Sequence, residues 1–377
     1  MEINRSQEKE LSKLLLPQKV TLLLGARRVG KSILIEKFLE QYNGTYLLLN
    51  GEDEDTQDLL EKRTAANYRR ILNGYDLLVI DEAQAIPDVG KKLKLIVDTI
   101  KGIKVLVTGS SAFDLLNVSG EPLTGRSITL NLFPIWQGEL KENAVQIKQN
   151  LEDRLIYGSY PELWHYERLD DRKRYLLEMV NAYLLKDILI LDGIRNPSVI
   201  FNLLKMIAYQ IGKEVSYNEL GTALGISKNT VEKYLHLLTQ VFVLIKVPAF
   251  SNNLRKEISK SQRWYFVDNG IRNAVIQDFS PLALRSGNEI GMIWENYLFI
   301  ERLKRNTYKK ENKSYHFWRT YDQQEIDLIE VKNKTMHAFE FKYSASKSPK
   351  VPVAFEKAYP KANFEVINDK NYLDFIL

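Results

Sequence analysis

The segment that most constrains this chain is Val20–Ser32, which reads Val-Thr-Leu-Leu-Leu-Gly-Ala-Arg-Arg-Val-Gly-Lys-Ser. Its first five residues predict a buried strand, and the periodicity of Ile33–Tyr42 predicts a helix. Gly25 and Gly30 lie in the loop between them, where they let successive backbone N–H groups point inward at phosphate oxygens. The following helix adds its positive N-terminal end. The sequence therefore predicts a nucleotide phosphate loop.

Two side chains of this loop have predicted roles with ATP and Mg²⁺. Lys31 is expected to reach the β- and γ-phosphates, and Ser32 is expected to ligate Mg²⁺. Arg27 and Arg28 either assist in binding phosphate or a partner, or are exposed to solvent. The predicted nucleotide-binding residues form one run: Gly25, Ala26, Arg27, Arg28, Val29, Gly30, Lys31, Ser32 and Ile33.

An apolar strand that ends in two carboxylates follows about 50 residues later, at Leu77–Glu82. Asp81 is expected to hold the Mg²⁺ shell through water, and Glu82 is expected to activate the attacking water as a general base. A third strand ends in hydroxyl groups, and either Thr108 or Ser110 could sense the γ-phosphate or place the water. The alternative for these hydroxyls is an ordinary turn after a strand.

Short apolar runs alternate with helical patterns through the first 140 residues, which predicts an α/β fold with a parallel sheet. The expected strands are Val20–Leu24, Tyr46–Leu49, Leu77–Ile80 and Val105–Thr108. Amphipathic helices dominate the next part, and mixed helices and strands follow. The 377 residues are too many for one core. We therefore expect an ATPase domain at 1–145, a helical domain at 146–285 and an α/β domain at 286–377.

The segment Val215–Leu238 predicts two short helices joined at Gly225, with Ser216 and Glu219 as a capping box at the start. The exposed face of the second helix carries Lys228, Asn229, Glu232 and Lys233. A strand pair at Val241–Val247 would supply a wing. The region of about 198–250 is therefore predicted to be a winged helix-turn-helix that binds DNA, with phosphate contacts from Arg255, Lys256 and Lys260. The alternative is a lid or protein contact.

Acidic residues in the last hundred residues follow the order of the PD-(D/E)xK nuclease fold. Asp327 and Glu340 would ligate Mg²⁺ from two strands, with Glu295 contributing from a helix. Lys342 lies on the same face of its strand as Glu340, because side chains alternate along a strand, and would activate water or stabilise the phosphate. This pattern predicts an active nuclease, and the alternatives are a domain that only binds DNA or an inert module.

Four stretches resemble those of a known family: Gly25–Ser32, Leu77–Gln84, Val105–Ala112 and Glu121–Arg126. They are similar to prokaryotic AAA+ ATPases related to STAND and archaeal origin-recognition NTPases. In that group the ATPase is fused to a winged helix and a restriction-endonuclease-like domain. Tyr157–Glu162 resembles a further signature, usually written with two glycines, and Ser159 departs from it. The resemblance implies that Arg126 completes the ATP site, in such families often in trans within a homo-oligomer. The alternative is a surface arginine that pairs with Glu121 or Glu139.

Composition and charge limit the kinds of site and partner that the chain is expected to have. Without cysteine, disulfides and thiolate metal sites are excluded, and four scattered histidines argue against a histidine zinc site. The polar N-terminus and the lack of a long apolar run predict a cytoplasmic protein without membrane contact. The net charge of +5 arises after residue 150, because residues 1–150 carry 20 basic and 20 acidic side chains. This favours a DNA-associated ATPase. The alternative is a STAND-type nucleotide switch whose C-terminal domains bind an unidentified protein partner.

Overall fold

The computed structural model describes residues 3–110, 123–184, 197–250, 262–320, 322–346 and 349–377. The chain divides into two compact units. The first ends at Pro134 and includes Gln240–Phe242, and the second comprises Ile135–Thr239 and Val243–Leu377. The boundary predicted near residue 285 therefore falls inside the second unit rather than between separate units.

The first unit is an α/β layer structure around a five-stranded sheet, which confirms the predicted fold class. Every strand pair in this sheet is parallel, in the order β2-β3-β4-β1-β5. The strands are β1 Val20–Leu24, β2 Tyr46–Asn50, β3 Leu77–Asp81, β4 Lys104–Gly109 and β5 Ser127–Asn131. The helices are α1 Gln7–Leu14, α2 Lys31–Glu40, α3 Glu54–Glu61, α4 Ala65–Ile71 and α5 Val89–Thr99. The apolar side chains of β1, β3 and β4 are buried, as expected for central parallel strands.

The first part of the second unit is mainly helical, with one antiparallel sheet in the order β6-β8-β7. Its strands are β6 Glu214–Val215, β7 Leu244–Pro248 and β8 Gln262–Phe266. Its helices are α6 Ala144–Gln149, α7 Leu151–Tyr157, α8 Leu169–Glu178, α9 Pro197–Tyr209, α10 Tyr217–Leu224, α11 Lys228–Gln240 and α12 Asn269–Ile276.

The last part of the second unit packs a long helix, α13 Gly287–Tyr308, against a four-stranded sheet. The sheet order is β12-β11-β10-β9. Its strands are β9 Ser314–Arg319, β10 Glu325–Lys332, β11 Thr335–Phe341 and β12 Asn363–Ile367. Two short helices, α14 Val353–Ala358 and α15 Tyr372–Ile376, complete it. Among the described residues, no helix has the length and apolar character needed to span a bilayer.

One predicted element differs in detail. The segment Val241–Val247 is not a strand pair, because Phe242 has a positive φ of 57° and only Leu244–Pro248 is extended. The partner of β7 is β8, which begins at Gln262. The predicted phosphate contacts Arg255, Lys256 and Lys260 lie outside the described residues.

Candidate active site

The phosphate loop lies between β1 and α2, at the carboxyl edge of the parallel sheet. Its two glycines are required for different reasons. A Cβ on Gly25 would lie 2.2 Å from the carbonyl oxygen of Leu132, while Gly30 has a φ of +91°. Lys31 is buried, and its Nζ donates to the carbonyl oxygens of Gly25 (3.0 Å) and Ala26 (3.1 Å). The loop is thus closed around the lysine predicted to bind phosphate.

Ser32, at the start of α2, and Asp81, at the end of β3, meet next to this loop. The Ser32 hydroxyl donates to Asp81 Oδ2 at 2.7 Å, although 49 residues separate them. Thr108, from the neighbouring β4, donates its hydroxyl to the other oxygen of Asp81. A hydroxyl and an exposed carboxylate oxygen at this separation fit a small divalent cation, which prefers oxygen ligands. Thr108 is fully buried, and its hydroxyl helps to orient the Asp81 carboxylate.

Glu82 occupies a strained backbone position immediately after β3. Its φ of 49° and ψ of 45° are left-handed, which costs a non-glycine residue of order 1 kcal/mol. Its backbone N–H donates to Thr108 Oγ1 at 2.9 Å. Its carboxylate accepts a hydrogen bond from Gln84, whose Nε2 also donates to Ser110 Oγ at 3.2 Å. These bonds fix the direction of the predicted general base.

Two residues of this site were missed by sequence reasoning. Gln84 could have been found from the sequence, because it is the last residue of Leu77–Gln84, one of the stretches that resemble AAA+ ATPases. Arg5 had none: its Nη1 donates to Val29 O and its Nη2 to Phe133 O, both at 2.6 Å, across 24 and 128 residues. Arg5 therefore ties the phosphate loop to the segment that follows β5.

Arg126 lies away from the ATP site of its own chain. It precedes β5, and its carbonyl accepts from Val20 N, so it lies at the amino edge of the sheet. The phosphate loop follows the other end of β1, about 16 Å away for five residues of strand. Its guanidinium pairs with Asp98 at 2.5 Å. Arg126 therefore cannot complete the ATP site of its own chain, and only the predicted role in trans remains.

The structure brings the C-terminal residues Glu295, Asp327 and Lys342 to one cleft of about 650 Å³, and Glu340 lies beside them. Phe341 N donates to Asp327 Oδ2 at 2.8 Å, and Lys342 Nζ donates to Glu340 Oε1 at 2.7 Å. A residue that we did not anticipate, Arg263 on β8, lies between the acids. Its Nη1 is 3.7 Å from both Glu295 Oε1 and Asp327 Oδ1. The only sequence signal for Arg263 is a charge within an otherwise buried strand.

Burial dominates the electrostatics of this cluster. Burial first, and then the charge of Asp327, raise the pKa of Glu295 to about 8. The same two causes raise the pKa of Glu340 to about 7, although Lys342 opposes them. Burial also raises the pKa of Asp327, against the effect of Arg263. The acids thus interact strongly with one another.

In this structure the acids of the cluster are engaged by basic side chains. Among the described residues, no group of three or more carboxylate or histidine side chains is placed to hold a metal ion together. Glu295 and Asp327 share the guanidinium of Arg263, and Glu340 is engaged by Lys342. The assignment of Glu295, Asp327 and Glu340 as Mg²⁺ ligands, and of Lys342 to cleavage, stays a prediction.

The second helix of the predicted DNA-binding segment, α11, has the expected two faces. Val231, Leu235 and Leu238 are buried, and Lys228 and Lys233 are exposed. Ser216 caps α10 by accepting from Glu219 N at 3.4 Å, and Gly225 ends that helix with a φ of 67°. The basic side chains therefore project from the surface of the second unit.

Three segments of the chain match known domain families. Residues 17–141 match an AAA domain, while residues 148–282 and 290–373 match two domains of unknown function. An uncharacterized protein of Mycobacterium tuberculosis is 26% identical over 336 residues, which is 87% of this chain and 71% of that protein. An uncharacterized protein of Methanocaldococcus jannaschii is 23% identical over 396 residues, 98% of this chain and 84% of that protein.

Among solved structures, the Walker-type ATPase of Pyrococcus abyssi is 17% identical with a TM-score of 0.46, covering 73% of this chain and 96% of that one. Residues 17–141 match an AAA domain, and the same residues contain the phosphate loop and the hydrogen-bonded pair Ser32 and Asp81. The family match and the geometry of the site therefore indicate the same kind of domain. The chain therefore carries a P-loop ATPase domain of the AAA type.

Proposed function

We propose that this protein binds and hydrolyses ATP with Mg²⁺ and associates with duplex DNA through its second unit. The observation that carries the first part is the 2.7 Å hydrogen bond between Ser32 Oγ and Asp81 Oδ2, beside a closed phosphate loop. Ser32 would ligate the cation directly and Asp81 through water. When bound, Mg²⁺ would neutralise charge on the β- and γ-phosphates.

The chain's own residues have distinct tasks in this proposal. The Nζ of Lys31 would exchange the carbonyls of Gly25 and Ala26 for phosphate oxygens, and the loop N–H groups would bind the remaining ones. Glu82 would accept the proton of the attacking water. Gln84 would hold the Glu82 carboxylate in place while it does so.

Two substitutions test the ATPase assignment. Lys31→Ala should abolish nucleotide binding, measured by calorimetry with ATP. Glu82→Gln should keep ATP binding but lower the hydrolysis rate by roughly 10²-fold or more, because a general base typically contributes that factor. Glu52→Gln, an exposed position one residue beyond Gly51, is the matched control. Parental turnover in Glu82→Gln would refute the assignment of the base.

The proposal of DNA association rests on three features of the second unit. Its elements α9, β6, α10, α11, β7 and β8 follow the order of a winged helix, with a three-stranded sheet. The helix α11 occupies the place of a recognition helix and exposes Lys228 and Lys233. The net positive charge of the chain also arises in this half.

Charge reversal on α11 tests this part. Lys228→Glu with Lys233→Glu should weaken duplex binding, and the slope of log affinity against log salt should fall by about 2, because each phosphate contact contributes about 1. Lys332→Glu with Lys334→Glu, two exposed lysines at the turn between β10 and β11, is the control. Equal weakening by both pairs would indicate only a general charge effect.

A STAND-type switch is the second candidate, and the Arg263-bridged cluster favours it because that arrangement does not fit a metal nuclease. In that case the ATPase would change state slowly, and the second unit would bind a protein. DNA added to an ATPase assay separates the two proposals. Stimulation of hydrolysis that is lost in the α11 charge reversal supports the DNA-associated ATPase, whereas an unchanged rate supports the switch.

A further inference from the structure

Arg263 is placed as an internal cation within the cleft of the second unit. It lies in the middle of β8, and its side chain is only 3% exposed. One guanidinium contacts three acids: Nη1 lies 3.7 Å from Glu295 and from Asp327, and Nη2 lies 2.8 Å from Glu325. The ring of Phe317 supports it, with the Cζ atom 4.6 Å from the ring centroid. The two Nη atoms of Arg263 therefore face acids and its guanidinium lies over Phe317, while its Nε is buried without a hydrogen-bond partner.

The position of the Arg263 guanidinium determines whether Glu295 and Asp327 can bind a divalent metal ion. A divalent ion bridging Glu295 and Asp327 would lie roughly 2.0–2.6 Å from an oxygen of each. Nη1 already lies between the same two oxygens, 3.7 Å from each. The guanidinium stays protonated at any accessible pH, so it would repel a dication placed beside it. The two cations are therefore mutually exclusive.

Apart from Arg263, the cleft has features that would suit a divalent cation. Glu340 directs Oε1 to Lys342, and its Oε2 is buried without a hydrogen-bond partner. A carboxylate oxygen in that state is available to a cation that reaches it. The cleft is also wide enough for hydrated ions, since Gly287 and Gly291 on its wall have open space where a Cβ would be. The acids thus have both an available ligand and an entrance.

We propose that the cleft is a latent divalent-cation site that Arg263 keeps closed, and that removing this one side chain opens it. Arg263 belongs to the sheet β6-β8-β7, whereas the acids belong to α13, β10 and β11. Arg263, whose positive charge offsets the negative charge of the acids, thus lies on a different sheet from Asp327 and Glu340. While Arg263 stays in place, the C-terminal residues bind no Mg²⁺ or Mn²⁺.

Mn²⁺ binding to the full chain tests this, measured from the loss of the free Mn²⁺ signal in electron paramagnetic resonance. Every variant also carries Lys31→Ala and Ser32→Ala, so that the ATP site contributes equally or not at all. The chain with Arg263 should bind no Mn²⁺ that Asp327→Asn removes. Arg263→Met should gain one Mn²⁺ per chain, and adding Asp327→Asn should abolish it. Arg319→Met, at an arginine that lines the same cleft but pairs with Glu214, should gain none.

Two results would overturn the proposal. One is binding of Mn²⁺ that depends on Asp327 while Arg263 is present. The other is a folded Arg263→Met protein, verified by circular dichroism, that gains no Mn²⁺. The first comparison changes nothing at Arg263, so it remains decisive if Arg263→Met fails to fold. In that event Arg263→Gln, which retains a hydrogen-bonding side chain, takes its place in the second comparison.

Discussion

Gly158 has no side chain because Asp268 occupies the space that one would fill. A Cβ at Gly158 would lie 1.9 Å from Asp268 Oδ1, and the backbone there has a φ of 75° and a ψ of −151°. Asp268 cannot move aside, since it is buried and accepts hydrogen bonds from Ser159 N (2.7 Å) and Gly270 N (2.8 Å). This contact gives a physical reason for the glycine in the signature Tyr157–Glu162.

We expect Gly158→Ala to destabilise the protein by about 3 kcal/mol or more, because a conformation open almost only to glycine costs about 1–3 kcal/mol and the clash adds to it. Gly225→Ala is the matched control: its φ is 67°, but nothing lies within 4 Å of the added Cβ. That variant should lose only about 1 kcal/mol. Urea unfolding followed by circular dichroism measures both. Similar losses in the two variants would contradict the clash.

Individual site residues were predictable where a local motif places them, either in the phosphate loop with the start of its helix or at the end of an apolar strand. Ser32 and Asp81 follow directly from two local patterns, and the structure brings them to 2.7 Å. Arg263 and Arg5 act on partners that are distant in sequence, so only tertiary packing reveals them. For Arg126, the family resemblance marks a candidate residue, and the strand direction places it at the edge of the sheet opposite the phosphate loop, so its role in trans stays a prediction.

On the inner face of α13, a buried ion network links this helix to β10. Glu330 accepts two hydrogen bonds from Arg302, at 2.8 and 3.0 Å, and one from Lys313 at 2.9 Å. Asn306 adds another at 2.8 Å. Burial raises the pKa of Glu330, but the hydrogen bonds and charges of Arg302 and Lys313 outweigh it and lower the pKa below its ordinary value.

A lowered folded-state pKa means that this carboxylate stabilises the fold above its unfolded pKa of about 4.3, and that the contribution is lost as the pH falls through the folded value. Glu330→Gln should therefore cost about 3 kcal/mol near pH 7, because Arg302 is left buried without its counter-charge. The difference from the parent should shrink below about pH 4. Glu365→Gln, exposed on β12, is the control. Urea unfolding at several pH values measures this, and a difference independent of pH would argue against it.

Strands with two buried faces were predictable, and so was β2, although none of its residues is buried. β5 and β8 were not predicted. β1, β3 and β4 read as continuous apolar runs, and the observed bounds agree with the predicted ones within a residue. β5 reads Ser-Ile-Thr-Leu-Asn at the edge of its sheet and has no such signal. β8 is buried, but it contains Gln262 and Arg263, so its sequence does not show the continuous apolar run that predicts a buried strand. Side-chain partners, rather than local preference, define these strands.

On the scale of the whole molecule, the position of Arg126 determines how the predicted homo-oligomer can be tested. An arginine at the amino edge of its own sheet contributes to hydrolysis only if it reaches the ATP site of a second copy. The alternative is a local role, the exposed ion pair with Asp98 at 2.5 Å. Exposed pairs typically contribute about 0–1 kcal/mol, so removing this one should leave folding intact and expose any catalytic role.

Mixing two inactive variants distinguishes these roles. If Arg126 acts in trans, Arg126→Ala should lower ATP hydrolysis by roughly 10²-fold or more, since arginines that meet the γ-phosphate contribute about 10³–10⁵ in other P-loop enzymes. Lys31→Ala keeps Arg126 but cannot bind ATP, whereas Arg126→Ala keeps the phosphate loop. A mixture should therefore regain a substantial part of the parental rate, increasing with protein concentration. Asp98→Asn breaks the ion pair but keeps the arginine, and it should remain active. Parental activity in Arg126→Ala alone would show that this arginine only pairs with Asp98, and any oligomer would then complete its ATP site with another residue.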